Sequence, residues 1–84
     1  MYEVRFSTSS EKQFKKLDKK SQDRIILALD RIKIRPESYV QKLTGVPGYK
    51  FRVGDYRLIL DIDKGKIHIL VVKIGHRKNI YKKL

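Results

Sequence analysis

The sequence predicts an α+β fold: a helical hairpin packed on a roughly four-stranded antiparallel sheet, in the order β-α-α-β-β-β. Three observations lead there. Apolar and polar residues alternate over Tyr2–Phe6 and again over Tyr49–Val53, the period of a half-buried strand. Between these stretches apolar residues recur at helical spacing up to Pro36. Beyond them, Gly54-Asp55 and Asp63-Lys64-Gly65 are turn formers that divide the remaining chain into strands. With 84 residues and 40% hydrophobic content, the chain is expected to be one domain over 1–84 with a small core.

In order, Tyr2, Val4 and Phe6 alternate with Glu3 and Arg5 to give the first strand. Thr8-Ser9-Ser10-Glu11 has capping-box spacing and opens a helix to about Lys20, with Phe14 and Leu17 as its narrow apolar stripe. Ser21 offers a second N-cap, with Asp23 in the first turn; Ile25, Ala28, Leu29 and Ile32, widened by Ile26, form the buried face. Pro36 ends this helix at or before Arg35, and the short link between the helices implies an antiparallel pair. Glu37 to Gly48, with Thr44-Gly45 and Pro47-Gly48, reads as a connecting loop. A hairpin follows through Gly54-Asp55, pairing Val53 with Tyr56, Arg52 with Arg57, Phe51 with Leu58 and Lys50 with Ile59. Lys66 to Ile74 is apolar on nearly both faces, which predicts an interior strand. Gly75 is expected to break it, leaving His76 to Leu84 as a loop and a short basic terminal helix.

Charge is the strongest compositional signal: 21 Lys and Arg against 9 Asp and Glu, a net of +12. Such a surplus favours polyanionic partners, nucleic acid first, with an acidic protein or an anionic membrane behind it. Adaptation to heat would enrich Lys, but it enriches Glu as well, and only three Glu occur. Without cysteine there is neither a disulfide framework nor a thiolate metal site. The longest aliphatic run, Ile69 to Val72, is too short for a membrane span, and the N-terminus lacks a signal-peptide core. The expectation is a soluble, cytoplasmic protein with no cofactor and no membrane association.

The hairpin carries the chemical signal. Its outward face holds Lys50, Arg52 and Arg57 without an opposing carboxylate, and like charges directly across a sheet are destabilising. The arrangement suits an anion. Cleaving RNA by attack of the ribose 2′-hydroxyl on the neighbouring phosphate calls for three things: a base, charge stabilisation on the phosphorane oxygens and an acid for the leaving 5′-oxygen. A cationic cluster on a rigid hairpin supplies the second, and Arg77 could close it from the next strand. The plain alternative is a solvated sheet face. His68, with no His or Cys partner, reads as structural. Lys12, Lys15, Lys16, Lys19 and Lys20 read as a solvated helix face that could also hold nucleic-acid phosphates.

Lys42-Leu43-Thr44-Gly45, Tyr49-Lys50-Phe51-Arg52-Val53, Gly54-Asp55-Tyr56-Arg57-Leu58 and Gly75-His76-Arg77 with Tyr81 resemble, as an ordered set, the RelE/ParE superfamily of toxins, most of all archaeal members of the RelE branch. The resemblance spans essentially the whole chain. It implies ribosome-dependent cleavage of messenger RNA in the A site without metal. It also implies neutralisation by a cognate acidic, RelB-like antitoxin, in a heterotetramer. On the matching positions it implies phosphate stabilisation by Lys50 and Arg57, leaving-group acid work by Arg77 and base stacking by Tyr81. Arg52 departs from the pattern, since well-described bacterial members have a lysine there, proposed as the general base. Arginine stays charged and is a poor proton acceptor. Lys50, His76 or no strong base at all remain open for that role. Two rival functions stand beside this one: a ParE-type inhibitor of DNA gyrase and a non-catalytic RNA-binding module.

Overall fold

The computed structural model describes residues 1–76. In chain order it contains β1 (Glu3–Phe6), α1 (Thr8–Lys15), α2 (Lys19–Ile32), a 3-10 turn (Pro36–Ser38), β2 (Gln41–Lys42), β3 (Tyr49–Val53), β4 (Tyr56–Asp63) and β5 (His68–His76). The expected terminal helix lies outside the described residues.

The five strands form one sheet in the order β1-β5-β4-β3-β2. Its middle is the expected antiparallel meander β3-β4-β5, and β5 is interior, as its apolar composition predicts. Two features differ from the expected four antiparallel strands. β1 joins β5 in parallel, with Val4 opposite Ile69, and the stretch read as a loop contains β2, which pairs antiparallel with β3. Alternation identifies a strand but not its partner or direction. The direction of β1 follows from α1 and α2 returning the chain across the sheet, and a two-residue strand is too short to show a period.

The helices begin and end differently from the expectation as well. Ser7, one residue before the predicted cap, accepts a hydrogen bond from Ser10 N at 3.0 Å. α1 stops at Lys15 rather than near Lys20. Asp18, not Ser21, caps α2, accepting hydrogen bonds from Ser21 N at 3.3 Å and Ser21 Oγ at 2.7 Å. A carboxylate at the positive end of a helix is favoured twice over, as acceptor and as charge. The Ser21 hydroxyl accordingly holds the Asp18 carboxyl below its ordinary value of 3.8.

Ile25, Leu29 and Ile32 share the buried face of α2 and meet Phe51, Val53, Leu58, Leu60, Ile69, Val71 and Ile74 from the sheet. Each fully buried aliphatic side chain contributes about 1.5–3 kcal/mol. Phe14 packs edge-on to Phe6, ring centres 5.3 Å apart. Ile26, expected to widen the buried face, is exposed, as is Leu27. The apolar set of α2 thus exceeds what this sheet covers.

The buried residues of β5 sit at spacings of two and then three, because a bulge between Ile59 and Leu60 pairs Leu60 with Val71 but Ile59 with Lys73. An extra residue re-aims the rest of the strand. It puts Ile74 back in the core and leaves Leu70 and Val72 partly exposed on the other face. Nor does Gly75 break the strand, which continues to His76 opposite Tyr56. What holds this end is α1. β1 ends opposite Val71, and beyond it Ser10 Oγ donates to Val71 O (2.6 Å), Ser7 Oγ donates to Val72 O (2.9 Å), and Ile74 N donates to Gln13 Oε1 (2.7 Å). Among the described residues no helix is long and apolar enough to cross a membrane.

Candidate functional site

The β3–β4 hairpin has the register that its sequence predicts, pairing Val53 with Tyr56, Arg52 with Arg57, Phe51 with Leu58 and Lys50 with Ile59. Its turn depends on Gly54, whose φ of +59° suits glycine. A Cβ there would stand 2.8 Å from Arg24 Nη1, so the turn also packs directly on α2. Phe51, Val53, Leu58 and Leu60 are buried beneath the helices. Alternation then sends Lys50, Arg52 and Arg57 to the opposite face. Ile59 shares that face but is buried, beside Leu43 and Gly48 of the loop that folds over it. The outer face is therefore apolar and covered at one end, cationic and open at the other.

At the open end Lys50, Arg52 and Arg57 line a hollow of about 370 Å³ together with Tyr39 and Gln41. The short β2 strand completes it, setting Gln41 across from Lys50. Arg57 is half-buried, with its Nη1 shielded from solvent, whereas Arg52 is exposed with its Nε 3.5 Å from Gly54 O. Among the described residues, three cations line the hollow. In a partly desolvated recess that combination attracts a phosphate more strongly than the same charges spread over open surface. Sequence reasoning missed Tyr39 and Gln41, because both lie in the segment read as a loop.

His76 is placed elsewhere. It pairs with Tyr56, whose side chain is on the helix side of the sheet, and the two rings meet edge-on at 5.9 Å. Gly75, not His76, lies opposite Arg57. Arg77 and Tyr81 lie outside the described residues. His68 is half-buried with Nε2 3.7 Å from Glu3 Oε2, away from the hollow. Lys12, Lys15, Lys16, Lys19 and Lys20 are all exposed, with Lys15 paired to Glu11 and Lys19 to Asp23.

A second, larger hollow of about 690 Å³ runs between α2 and the hairpin. Leu27, Ala28, Phe51 and Val53 give it an apolar lining, and Lys20, Arg24, Arg31 and Arg52 a basic one, joined by the carboxylate of Asp23. Tyr39 and Arg52 belong to both hollows and form the ridge between them.

Comparison with known proteins agrees with this architecture. A search of curated protein sequences returns no match. Among solved structures, a chain of the RelBE2 toxin-antitoxin complex from Mycobacterium tuberculosis superposes with a TM-score of 0.82 at 25% identity, over 90% of this chain and 98% of the other. The intact Escherichia coli RelBE complex gives 0.78 at 25% identity, over 90% and 96%. The archaeal RelE-RelB complex of Pyrococcus horikoshii gives 0.76 at 25% identity, over 93% and 97%. A family model described as the ParE toxin of the type II toxin-antitoxin system parDE matches residues 4–81. The chain belongs to that toxin family, within the RelE/ParE superfamily.

Proposed function

We propose that this toxin is an endoribonuclease that cuts messenger RNA in the ribosomal A site and so stops translation. The observation that carries the reading is the recess where Arg52 faces Arg57, with Lys50 beside them. In the proposed step the ribose 2′-oxygen bonds to the adjacent phosphorus and the bond from phosphorus to the 5′-oxygen breaks, leaving a cyclic phosphate. The 2′-hydroxyl gives up its proton and the departing 5′-oxygen gains one. Lys50, Arg52 and Arg57 would hold the phosphate and stabilise the charge that grows on its oxygens. One preorganised donor of that kind is worth about 10²–10³ in rate. Arg77 is assigned the leaving-group acid and Tyr81 a stacking role, on the resemblance of their motif. With His76 on the face of Tyr56, we assign no side chain the part of strong base. Positioning of the 2′-hydroxyl on the ribosome supplies that share of the rate.

The relatives named above are RelE–RelB complexes, and a net charge of +12 calls for an acidic partner. A cognate RelB-like antitoxin, forming a heterotetramer, is part of the proposal. The exposed Ile26 and Leu27 on α2 offer it an apolar surface. The family description also names ParE, and gyrase inhibition is the second reading. Mapping RNA 5′-ends after brief expression in cells separates the two. Cuts within translated codons, reduced about a hundredfold or more by Arg57→Ala, are expected. DNA breaks with intact messages would replace this reading with the gyrase one.

A further inference from the structure

Seven aromatic residues lie in the described chain, and six of them, Tyr2, Phe6, Phe14, Tyr49, Phe51 and Tyr56, are buried or half-buried. Tyr39 alone is exposed, at 51%. It stands on the ridge between the cationic recess and the groove along α2, next to Arg52 in the lining of both. Its backbone is held on each side. The fully buried Pro36 anchors the 3-10 turn, Tyr39 N donates to Pro36 O at 3.0 Å, and Val40 N donates to the same oxygen at 3.2 Å. Two residues on, Gln41 is locked opposite Lys50 in the sheet.

An exposed ring costs hydration, and this one is held where it borders three cations that suit a phosphate. A nucleotide offers both halves of the complement: an anionic phosphate and, within one sugar of it, a flat apolar base. A tyrosine has few rotatable bonds to freeze when it is covered. Resting on the RNA reading above, we infer that Tyr39 is a stacking surface for an unpaired base of single-stranded RNA whose phosphate is held by Lys50, Arg52 and Arg57. An acidic peptide helix fits less well. It would seek an apolar lining, which the α2 groove has and the recess beside Gln41, Lys50 and Arg57 lacks. Stacking of this kind accepts any base, so Tyr39 contributes affinity and placement rather than sequence choice.

The test is binding of a labelled 2′-O-methyl hexanucleotide, which cannot be cleaved at the blocked hydroxyls, compared with an abasic sugar-phosphate strand of the same length. Tyr39→Ala should weaken the hexanucleotide about tenfold or more, while Tyr39→Phe and Tyr39→Trp keep it near the wild-type value. The abasic strand should bind wild type and Tyr39→Ala alike, since it has no base to stack. The salt dependence of binding should be unchanged in Tyr39→Ala and should flatten by about one unit in Arg52→Ala, because only the arginine releases a counterion. Melting curves matching wild type confirm that the variants are folded. Three results overturn the inference: unchanged hexanucleotide affinity in Tyr39→Ala, an equal loss on the abasic strand, or a wild-type chain that does not hold the hexanucleotide at low salt. Cleavage in cells is read separately, so a wild-type chain that stacks RNA but cuts no message refutes the proposed function and leaves the stacking role standing.

Discussion

Arg52 and Arg57 face each other across the two strands of a hairpin, an arrangement that costs some tenths of a kcal/mol. Replacing Arg52 with threonine removes that repulsion and leaves a β-branched side chain that suits a strand. The Arg52→Thr protein should melt at the wild-type temperature or slightly above, with a gain of at most about 0.5 kcal/mol, while RNA cleavage falls. A clear loss of stability would mean that the Arg52 side chain holds the turn together through its contact with Gly54. Ile67 shows the opposite kind of tension. This β-branched residue has φ +58° in the turn before β5 and is 46% exposed. Left-handed backbone costs an L-residue about 1–2 kcal/mol, and asparagine tolerates it better. Ile67→Asn should therefore stabilise the fold by about 0.5–1 kcal/mol, measurable by denaturant titration as a higher midpoint with an unchanged slope.

At the scale of elements, α1 acts as a substitute for strand β1. The strand stops opposite Val71, and Ser7, Ser10 and Gln13 then meet the backbone of β5 in turn, at Val72, Val71 and Ile74. Positions three apart share one helix face, so a single face can serve successive groups of the strand. This anchoring fixes the strand that carries Gly75 across from Arg57. Gln13→Ala removes the acceptor of the Ile74 amide. It should cost about 1–2 kcal/mol and raise hydrogen exchange at Ile74 more than at Leu58. Gln13→Glu keeps an acceptor oxygen and should largely restore both. Equal exchange at Ile74 in wild type and Gln13→Ala would show that another group satisfies this amide.

For the molecule as a whole, a net charge of +12 on 84 residues is the dominant long-range term. Among the described residues, two adjoining hollows gather part of this charge, one lined by Lys50, Arg52 and Arg57, the other by Lys20, Arg24, Arg31 and Arg52. Mutual repulsion across so small a body is screened as the Debye length contracts, from about 10 Å at 0.1 M to about 3 Å at 1 M. Raising sodium chloride from low to high concentration should increase the melting temperature by several degrees, since about 1 kcal/mol shifts a domain of this size by about 4–8 °C. Double-stranded or single-stranded polyanions should stabilise at far lower concentration, because they bind the native cluster. A melting temperature that fell with salt would show that attractive pairs such as Lys15–Glu11 and Lys19–Asp23 outweigh the surplus.

How much of this was legible beforehand depends on how far apart the deciding residues lie. The β3–β4 register, the cationic face with Lys50, Arg52 and Arg57, and the buried stripe of Ile25, Leu29 and Ile32 follow from periods of two and 3.6 and from a two-residue turn. Each is a local property, set by neighbours a few positions away. The motif set likewise pointed to the RelE/ParE superfamily, to which the chain belongs. Tertiary structure alone decided that β1 runs parallel to β5 and that Asp18 outcompetes Ser21 as a cap. It also decided that a bulge carries Gly75 and His76 onward in the strand, with His76 turned toward Tyr56. Tyr39 and Gln41 reach the recess only because two residues of a loop pair with β3. These outcomes rest on hydrogen bonds and contacts between segments distant in sequence. No local period encodes them, because the energy that selects them exists only once both segments are in place.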